Sequence, residues 1–359
     1  MGSSTYGGPV SPAAPRHGHT DAGAGRRKRM RLTMTDMRAA LFDRYGPPEV
    51  LYEGRAPKPE PGPGQALVRV HAVSVNGGES LGRAGRLRLI TGLMDRGFPK
   101  RVGLDFTGEV AALGPARPAR GPVPDVKPGD RVWGVLPRTF GSAAEFVAVS
   151  LDRLAHTPAG LDLVRAAALP VGTTVITALR DKARLRAGER LLVRGGSGGV
   201  GSLAVQLGRA YGARVVALAG ARNLDLVRDL GADEVYDYAT TGPSDLGRFD
   251  VVLDTAGTRL REFRRLLAPG GRMVTIAFDP DRIATSIAYI VASAVHGSRR
   301  VRFFSGDPRH ALLADLTRLV ESGALRPVVD TIRPLSEIAA AHRALESGGT
   351  RGKHIIQVI

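Results

Sequence analysis

The sequence predicts an α/β chain in which a parallel sheet covered by helices is joined to a strand-rich, irregular barrel. Three observations carry that prediction. The stretch Leu191–Ser202 reads as a strand, a glycine turn and the start of a helix. Downstream and upstream of it, from about residue 160, apolar strand runs alternate with helical runs, the pattern of a parallel sheet with both faces covered. From Arg38 onward, by contrast, short strand-like runs are punctuated by Gly and Pro, as in barrel-like β domains.

In chain order, residues 1–36 are rich in Gly, Ser, Pro, Ala and Arg, show no apolar period and are expected to be disordered. Met34 and Met37 stand just before the first structured run, and either is a candidate start of translation. Strands are expected at Ala39–Phe42, Ala66–Ala72, Gly108–Leu113, Arg131–Val135 and Glu145–Val149, separated by turns such as Gly46-Pro-Pro48 and Lys127-Pro-Gly-Asp130. Residues 114–127 form a Pro/Ala/Arg loop. Helical stretches at Leu163–Leu169 and Thr173–Ala183 precede the glycine turn. After it come strand Arg214–Ala219, helix Leu224–Leu230 stopped by Gly231, strands Val235–Tyr238 and Asp250–Asp254, helix Leu260–Leu267 ended by Pro269-Gly-Gly271, and strand Met273–Ala277. Helices Ala311–Ser322 and Ser336–Ser347 and a last strand, His354–Ile359, complete the chain.

The glycine turn is the most informative stretch. Leu191–Val193 is a short apolar strand, and Val200, Leu203, Ala204 and Leu207 recur at helical spacing. Between them Gly196, Gly198 and Gly201 fit G-x-G-x-x-G in the strand–turn–helix setting that gives the pattern meaning. The first glycine permits a tight turn, the second lets backbone approach a pyrophosphate, and the third lets helix and strand pack closely. The helix N-terminus then offers unpaired N–H groups to phosphate. The competing reading is a glycine-rich loop with no ligand.

Composition narrows the function classes. The 359 residues contain no cysteine, which removes disulfides, thiolate catalysis and cysteine-ligated metals. The formal net charge is +17, and with only six lysines arginine carries the excess. Nucleic-acid binding is one reading. An arginine-biased composition with a preference for anionic small molecules is the favoured one, because the densest basic run, Arg26–Arg31, lies in the tail. The longest apolar run, Ile283–Val295, carries Thr285, Ser286 and Ser293 and is too short to span a bilayer. No secretory signal is evident, and a cytoplasmic location is expected.

Taken together, the motifs resemble the medium-chain dehydrogenase/reductase superfamily, in its zinc-free, quinone oxidoreductase-like branch. The resemblance spans residues 38–359. It rests on Tyr45–Leu51, Val73-Ser-Val-Asn76, Gly103-Leu-Asp105 with Gly108, Lys127–Gly134, Ala144-Glu-Phe146, Leu169-Pro170, the glycine turn, Leu230–Asp233, Phe249–Thr255, Leu267–Arg272 and Gly352-Lys353. It implies a Rossmann parallel-sheet domain inserted in a GroES-like β-barrel domain: a GroES-like catalytic domain at 37–158, a Rossmann NADP-binding domain at 159–300, and a C-terminal return to the catalytic domain at 301–359, with the active site in the cleft between. It also implies a homodimer joined through the Rossmann domain, to which Ile283–Val295 contributes unless it is core.

Zinc members of that superfamily hold their metal with cysteines and the histidine of a Gly-His-Glu motif. Here the motif reads Gly103-Leu104-Asp105, so no metal site is expected. The expected chemistry is hydride delivery to an acceptor that is already electrophilic, a quinone or an α,β-unsaturated carbonyl, needing only donors and positioning. NAD sites place an acid about 20 residues past the glycines. This strand instead ends in Gly220-Ala-Arg222-Asn223, with no acid before Asp225, and the Arg222 guanidinium suits a 2′-phosphate. NADP(H) is therefore the expected cofactor. It is held by Gly196, Ser197, Gly198, Gly199, Val200, Gly201 and Arg222, and the resemblance adds Tyr238 on the adenine side, Thr174 near the cofactor phosphate or the nicotinamide, Phe278 around the nicotinamide and Lys353 near the cofactor. Phe303 and Phe304 fall near the same end, or are simply core.

The catalytic candidates implied by the resemblance are Asn76, beside the nicotinamide or the substrate carbonyl, and Glu79, at the family's aspartate position. The alternative for Asn76 is a loop-holding role, and for Lys353 a surface lysine. Leu81 stands where many quinone reductases carry a tyrosine, so the proton after hydride transfer is expected from water. Two other functions remain open at this point: a cofactor-binding protein without turnover, RNA-binding or structural, and a metal-free NAD-dependent alcohol dehydrogenase.

Overall fold

A computed structural model describes residues 36–86, 97–118, 121–137, 140–279 and 281–359. The expectation of a disordered tail falls outside the described residues, apart from Asp36, which opens the first strand.

The barrel side comprises β1 (Asp36–Phe42), β2 (Tyr52–Pro57), β3 (Gln65–Ser74), the short helix α1 (Gly77–Arg83), β4 (Lys100–Arg101), β5 (Asp105–Leu113), β6 (Arg131–Val135), β7 (Phe146–Ser150) and β8 (Leu154–His156). There follow α2 (Leu163–Ala166) and α3 (Gly172–Ile176), the latter running on as a π-helical segment, Thr177–Ala183. The α/β part is β9 (Arg190–Arg194), α4 (Gly199–Ala210), β10 (Arg214–Ala219), α5 (Leu224–Asp229), β11 (Glu234–Asp237), β12 (Phe249–Asp254), α6 (Leu260–Arg265), β13 (Leu267–Thr275), α7 (Ile283–Ala292) and β14 (Val301–Phe303). The chain ends with α8 (His310–Glu321), β15 (Val329–Pro334), α9 (Ile338–Glu346) and β16 (Lys353–Gln357).

The parallel sheet has the order β11-β10-β9-β12-β13-β14. It is wound in both directions from β9, so the glycine turn leaves the sheet at the point where the strand order reverses, the usual ligand crevice of such folds. Leu191, Leu192 and Val193 of β9 are fully buried, Leu191 and Val193 against one layer of helices and Leu192 against the other. Each such side chain contributes about 2 kcal/mol. Leu203, Ala204 and Leu207 give α4 its buried face, as the sequence spacing requires.

The barrel side is built on β3, which pairs with β5, β7 and β16. β16 arrives from the far end of the chain and sets Ile355 opposite Ser74. That pairing brings the C-terminal residues to the loop after β3, and the site depends on it.

Several expectations are corrected. The sixth strand of the parallel sheet, β14, lies past the boundary expected at residue 300, because Val301–Phe303 pairs with Met273–Thr275. Helix α6 stops at Arg265, and Leu267 already begins β13 opposite Phe249. Pro269-Gly-Gly271 therefore lies within β13, where the register shifts between Phe249 and Val251. The apolar run from Ile283 is a helix, but it is not core: Ser286 is its only buried residue, and Val291 is 67% exposed.

Candidate active site

The glycine turn forms as the sequence indicates. Gly198 caps α4 without a side-chain bond, leaving the first N–H groups of a twelve-residue helix unpaired within it. A Cβ on Gly198 would meet only Gly195 O, at 3.6 Å, so its backbone is open to a ligand. Gly201 is the opposite case. A Cβ there would stand 1.9 Å from Gly195 O, so only glycine lets helix and turn approach this closely. The turn is tied to its neighbours by Thr255 Oγ1, which donates to Arg194 O at 2.6 Å. Beneath it Arg194 meets Asp254 at 2.5 Å, and Asp254 also accepts from Thr275 Oγ1. Burial pushes the Asp254 carboxyl up, against the pull of Arg194. The sequence reading missed this pair, which joins the ends of β9 and β12.

Arg222 follows β10 and is exposed, with Nη2 donating to Gly349 O at 2.8 Å. Asn223 beside it is fully buried. Its Nδ2 reaches both Ser197 Oγ (3.2 Å) and Gly349 O (3.2 Å), while its buried Oδ1 has no partner. Asn223 thus binds the glycine turn to the loop before β16, a role missed although it directly follows Arg222. Tyr238 is 58% exposed at the end of β11, with its hydroxyl 3.3 Å from where a Cβ on Gly220 would stand. Arg222, Asn223 and Tyr238 form one edge beside the turn.

The catalytic candidates meet at the other end. Asn76 precedes α1 but does not cap it; its side chain turns inward. Nδ2 donates to Ser74 O (3.0 Å) and Glu79 Oε1 (2.9 Å) and lies 3.2 Å from Asp105 Oδ2. Oδ1 accepts from Lys353 Nζ at 2.6 Å. The amide orientation follows from its surroundings: acceptors face the nitrogen and an ammonium faces the oxygen. Both ends of Asn76 are therefore engaged within the protein. Asp105, singled out only as part of a motif, accepts from Ser74 N (2.9 Å) and Ser74 Oγ (2.6 Å). Glu79 Oε2 has a longer contact, 3.3 Å from Gly103 N.

Lys353 is not a surface lysine: it is 6% exposed. Gly352 N donates to Ser197 O at 2.7 Å and Gly352 bridges Gly198, which pins the start of β16 to the glycine turn. The lysine stem then crosses α4 so closely that a Cβ on Gly199 would lie 2.3 Å from its Cδ. Nζ donates to Val75 O (2.8 Å) and to Asn76, leaving one N–H without a protein partner among the described residues. Burial lowers the Lys353 ammonium, while Asp105 and Glu79 hold it up. Burial, then Asp105, push Glu79 up to about 8.

The remaining candidates make no side-chain hydrogen bond to this cluster among the described residues. Thr174 lines a cavity of about 180 Å³ with Thr173, Thr177, Lys182 and Phe304. Phe278 packs on Phe303, ring centroids 4.5 Å apart.

Comparison with known proteins agrees with this architecture. One family profile, an alcohol dehydrogenase GroES-like domain, matches residues 62–159, and a second, described as zinc-binding dehydrogenase, matches 230–356. An NAD(P)H oxidoreductase, RTN4IP1, mitochondrial, of Danio rerio is 32% identical over 365 residues, covering 90% of this chain and 92% of its own. An NADPH-dependent alkenal/one oxidoreductase, chloroplastic, of Arabidopsis thaliana is 32% identical over 337 residues, covering 90% and 80%. The solved quinone oxidoreductase of Coxiella burnetii superposes with a TM-score of 0.79 at 31% identity, over 90% of this chain and 100% of that one.

The zinc in one profile's description finds no ligands here. Leu104 is apolar, cysteine is absent, and no group of three or more His, Cys, Asp or Glu is poised for a metal among the described residues. The two nearest carboxylates, Glu79 and Asp105, are committed to Asn76 and Ser74.

Proposed function

The chain belongs to the medium-chain dehydrogenase/reductase superfamily, in its zinc-free branch, and on that footing we propose an NADPH-dependent reductase that delivers hydride to a quinone or an α,β-unsaturated carbonyl. The observation that carries the proposal is a buried ammonium, Lys353, set between a built nucleotide turn and the polar cluster at Asn76. The names of the alkenal/one and quinone oxidoreductase relatives support the acceptor class.

The residues present fit a dinucleotide. The open backbone at Gly198 and the unpaired N–H groups of α4 suit the pyrophosphate. Arg222 keeps Nε and Nη1 for a 2′-phosphate, and Asn223 holds the loop at Gly349 beside it. Reduced nicotinamide, when bound, supplies the hydride. The free N–H of Lys353 is available to an oxygen of cofactor or acceptor, and Asn76 aims the ammonium while contributing no donor itself. Charge developing on an acceptor oxygen is met by fixed donors rather than by a metal.

The test follows deuterium from NADPH doubly deuterated at C4 into a cyclic enone. One deuterium at the β-carbon supports hydride delivery, and unlabelled product refutes it.

We also propose a homodimer across the edge strand β14. Val291 and Val295 are 67% and 84% exposed and Phe303 39% exposed on that side of the sheet. Light scattering of the purified chain at micromolar concentration should give twice the monomer mass.

A further inference from the structure

Glu79, Asp105 and Lys353 form an enclosed group of two carboxylates and one ammonium, each at most 6% exposed and joined through Asn76. If all three are ionised the group carries an uncompensated negative charge out of water, which is costly. The two carboxylates are not equivalent. Asp105 accepts from Ser74 N and Ser74 Oγ and has Asn76 within reach, whereas Glu79 has Asn76 and one long contact to Gly103 N. Glu79 is therefore the one that takes a proton first, and its upward shift agrees with this ordering.

The group also borders the nucleotide turn. The Lys353 stem lies against Gly199 in the first turn of α4, where a pyrophosphate would sit. Few other charges face the cluster. The adjoining residue, His354, has Nδ1 2.9 Å from Thr331 Oγ1, and beyond it stand Asp330 and Arg333. No charged group of α4 faces Lys353, because the helix presents Gly199 there.

We propose that this cluster is a proton-binding site linked to the cofactor: binding of the nucleotide at the glycine turn draws a proton from solvent onto Glu79. Where Glu79 is ionised, above about pH 8, the group has an excess of one negative charge, and two more added beside it favour the protonated form. The proton goes to the carboxylate with the fewest donors. The stoichiometry of the proposed reaction calls for it, since reducing a quinone or an enone consumes one proton with each hydride. Oxidised cofactor carries one more positive charge than reduced cofactor, so the cluster holds the proton less strongly after transfer and releases it to solvent, from which the reduced acceptor takes one proton. Asp105 thereby remains the carboxylate that holds Lys353 charged, acting through Asn76 as its positioning residue.

This inference rests on the nucleotide reading above, and the experiment separates the two. Dissociation constants for NADPH and NADP⁺ are measured on the wild-type chain by calorimetry between pH 7.5 and 9.5, above the range in which a 2′-phosphate titrates, about pH 6. Buffers of unlike ionisation heat count the protons taken up. The expected result is NADPH affinity falling by at least threefold per pH unit, with a weaker dependence for NADP⁺, since the slope of log Kd against pH equals the protons bound. In Glu79→Gln the dependence should shrink to less than twofold across the range. Glu79→Ala, which also removes the carboxyl, should flatten it too and serves if the first variant does not fold, whereas a wild-type slope in it assigns the proton to Lys353 and not to Glu79. A wild-type affinity independent of pH, or a Glu79→Gln variant with the wild-type slope, overturns the proposal. Failure of NADPH to bind at any pH overturns the nucleotide reading itself.

Discussion

Lys353 Nζ donates to Asn76 Oδ1 at 2.6 Å although the two residues are 277 positions apart, so the start of the last strand completes the loop that follows the third. Replacing Lys353 by Met removes the ammonium and its uncommitted N–H. The expected loss in kcat/KM is about 100-fold, the scale of one donor in such sites. Lys353→Arg should recover part of it, because the charge is kept. A merely structural lysine would give equal losses in both variants, with matching falls in melting temperature.

Cofactor preference is expected to reside in Arg222 and in the carbonyl that holds it. Arg222→Ala should raise the Kd for NADPH about tenfold or more, the scale of one charge-assisted bond, and leave NADH nearly unchanged. Gly349→Ala should act in the same direction. Its φ is +67°, and a Cβ would stand 2.0 Å from Arg222 Nη2, displacing the guanidinium. Fluorescence titration with both nucleotides checks this, and equal losses for the two would count against the assignment.

Gly201→Ala should fail at the glycine turn itself. The added Cβ meets the backbone carbonyl of Gly195, which has no side-chain freedom with which to yield. The expected cost is about 1–3 kcal/mol of stability, together with loss of nucleotide binding. Gly198→Ala, whose Cβ meets nothing closer than 3.6 Å, should fold as well as the parent and lose affinity only. Thermal melts and NADPH titration of the two variants together make the comparison.

Acid sensitivity is expected from His342, fully buried in α9 behind Ser80 and Arg83. Burial, aided by Arg83, lowers its pKa to about 3. Between that value and the ordinary one near 6.5 the unfolded chain binds a proton that the folded chain does not. The contribution of neutral His342 is therefore complete above about pH 6.5 and falls by about 1.4 kcal/mol per pH unit below it. Urea unfolding at pH 7 and pH 5 should show His342→Gln losing about 2 kcal/mol less than the parent over that interval. An identical loss in both would place the acid sensitivity elsewhere.

The parts of the molecule legible in the sequence are those set by neighbours in the chain. Strand, turn and helix around Gly196–Gly201 lie within one short stretch, and Asn76 and Glu79 share one motif. What the sequence did not show depends on distant pairing. Lys353 reads equally as a surface residue until Ile355 is seen opposite Ser74. Asn223 gains its role only because the loop at Gly349 folds back on it. The strands β2 and β15 escaped notice because they have almost no buried face, with Ala56 the one buried residue of β2 and none in β15. The apolar run at Ile283 suggested core by its composition, yet its helix faces outward beside an edge strand, a fact of topology rather than of hydropathy.

The central claim is that this site passes hydride from NADPH to an already electrophilic acceptor. The most direct measurement is absorbance at 340 nm with NADPH against a benzoquinone, a naphthoquinone, an alkenal and a cyclic enone, repeated with NADH. Turnover of at least one acceptor with NADPH, and at least tenfold less with NADH, is the predicted result. Tight NADPH binding with no turnover of any acceptor, or turnover that prefers NADH, would contradict it.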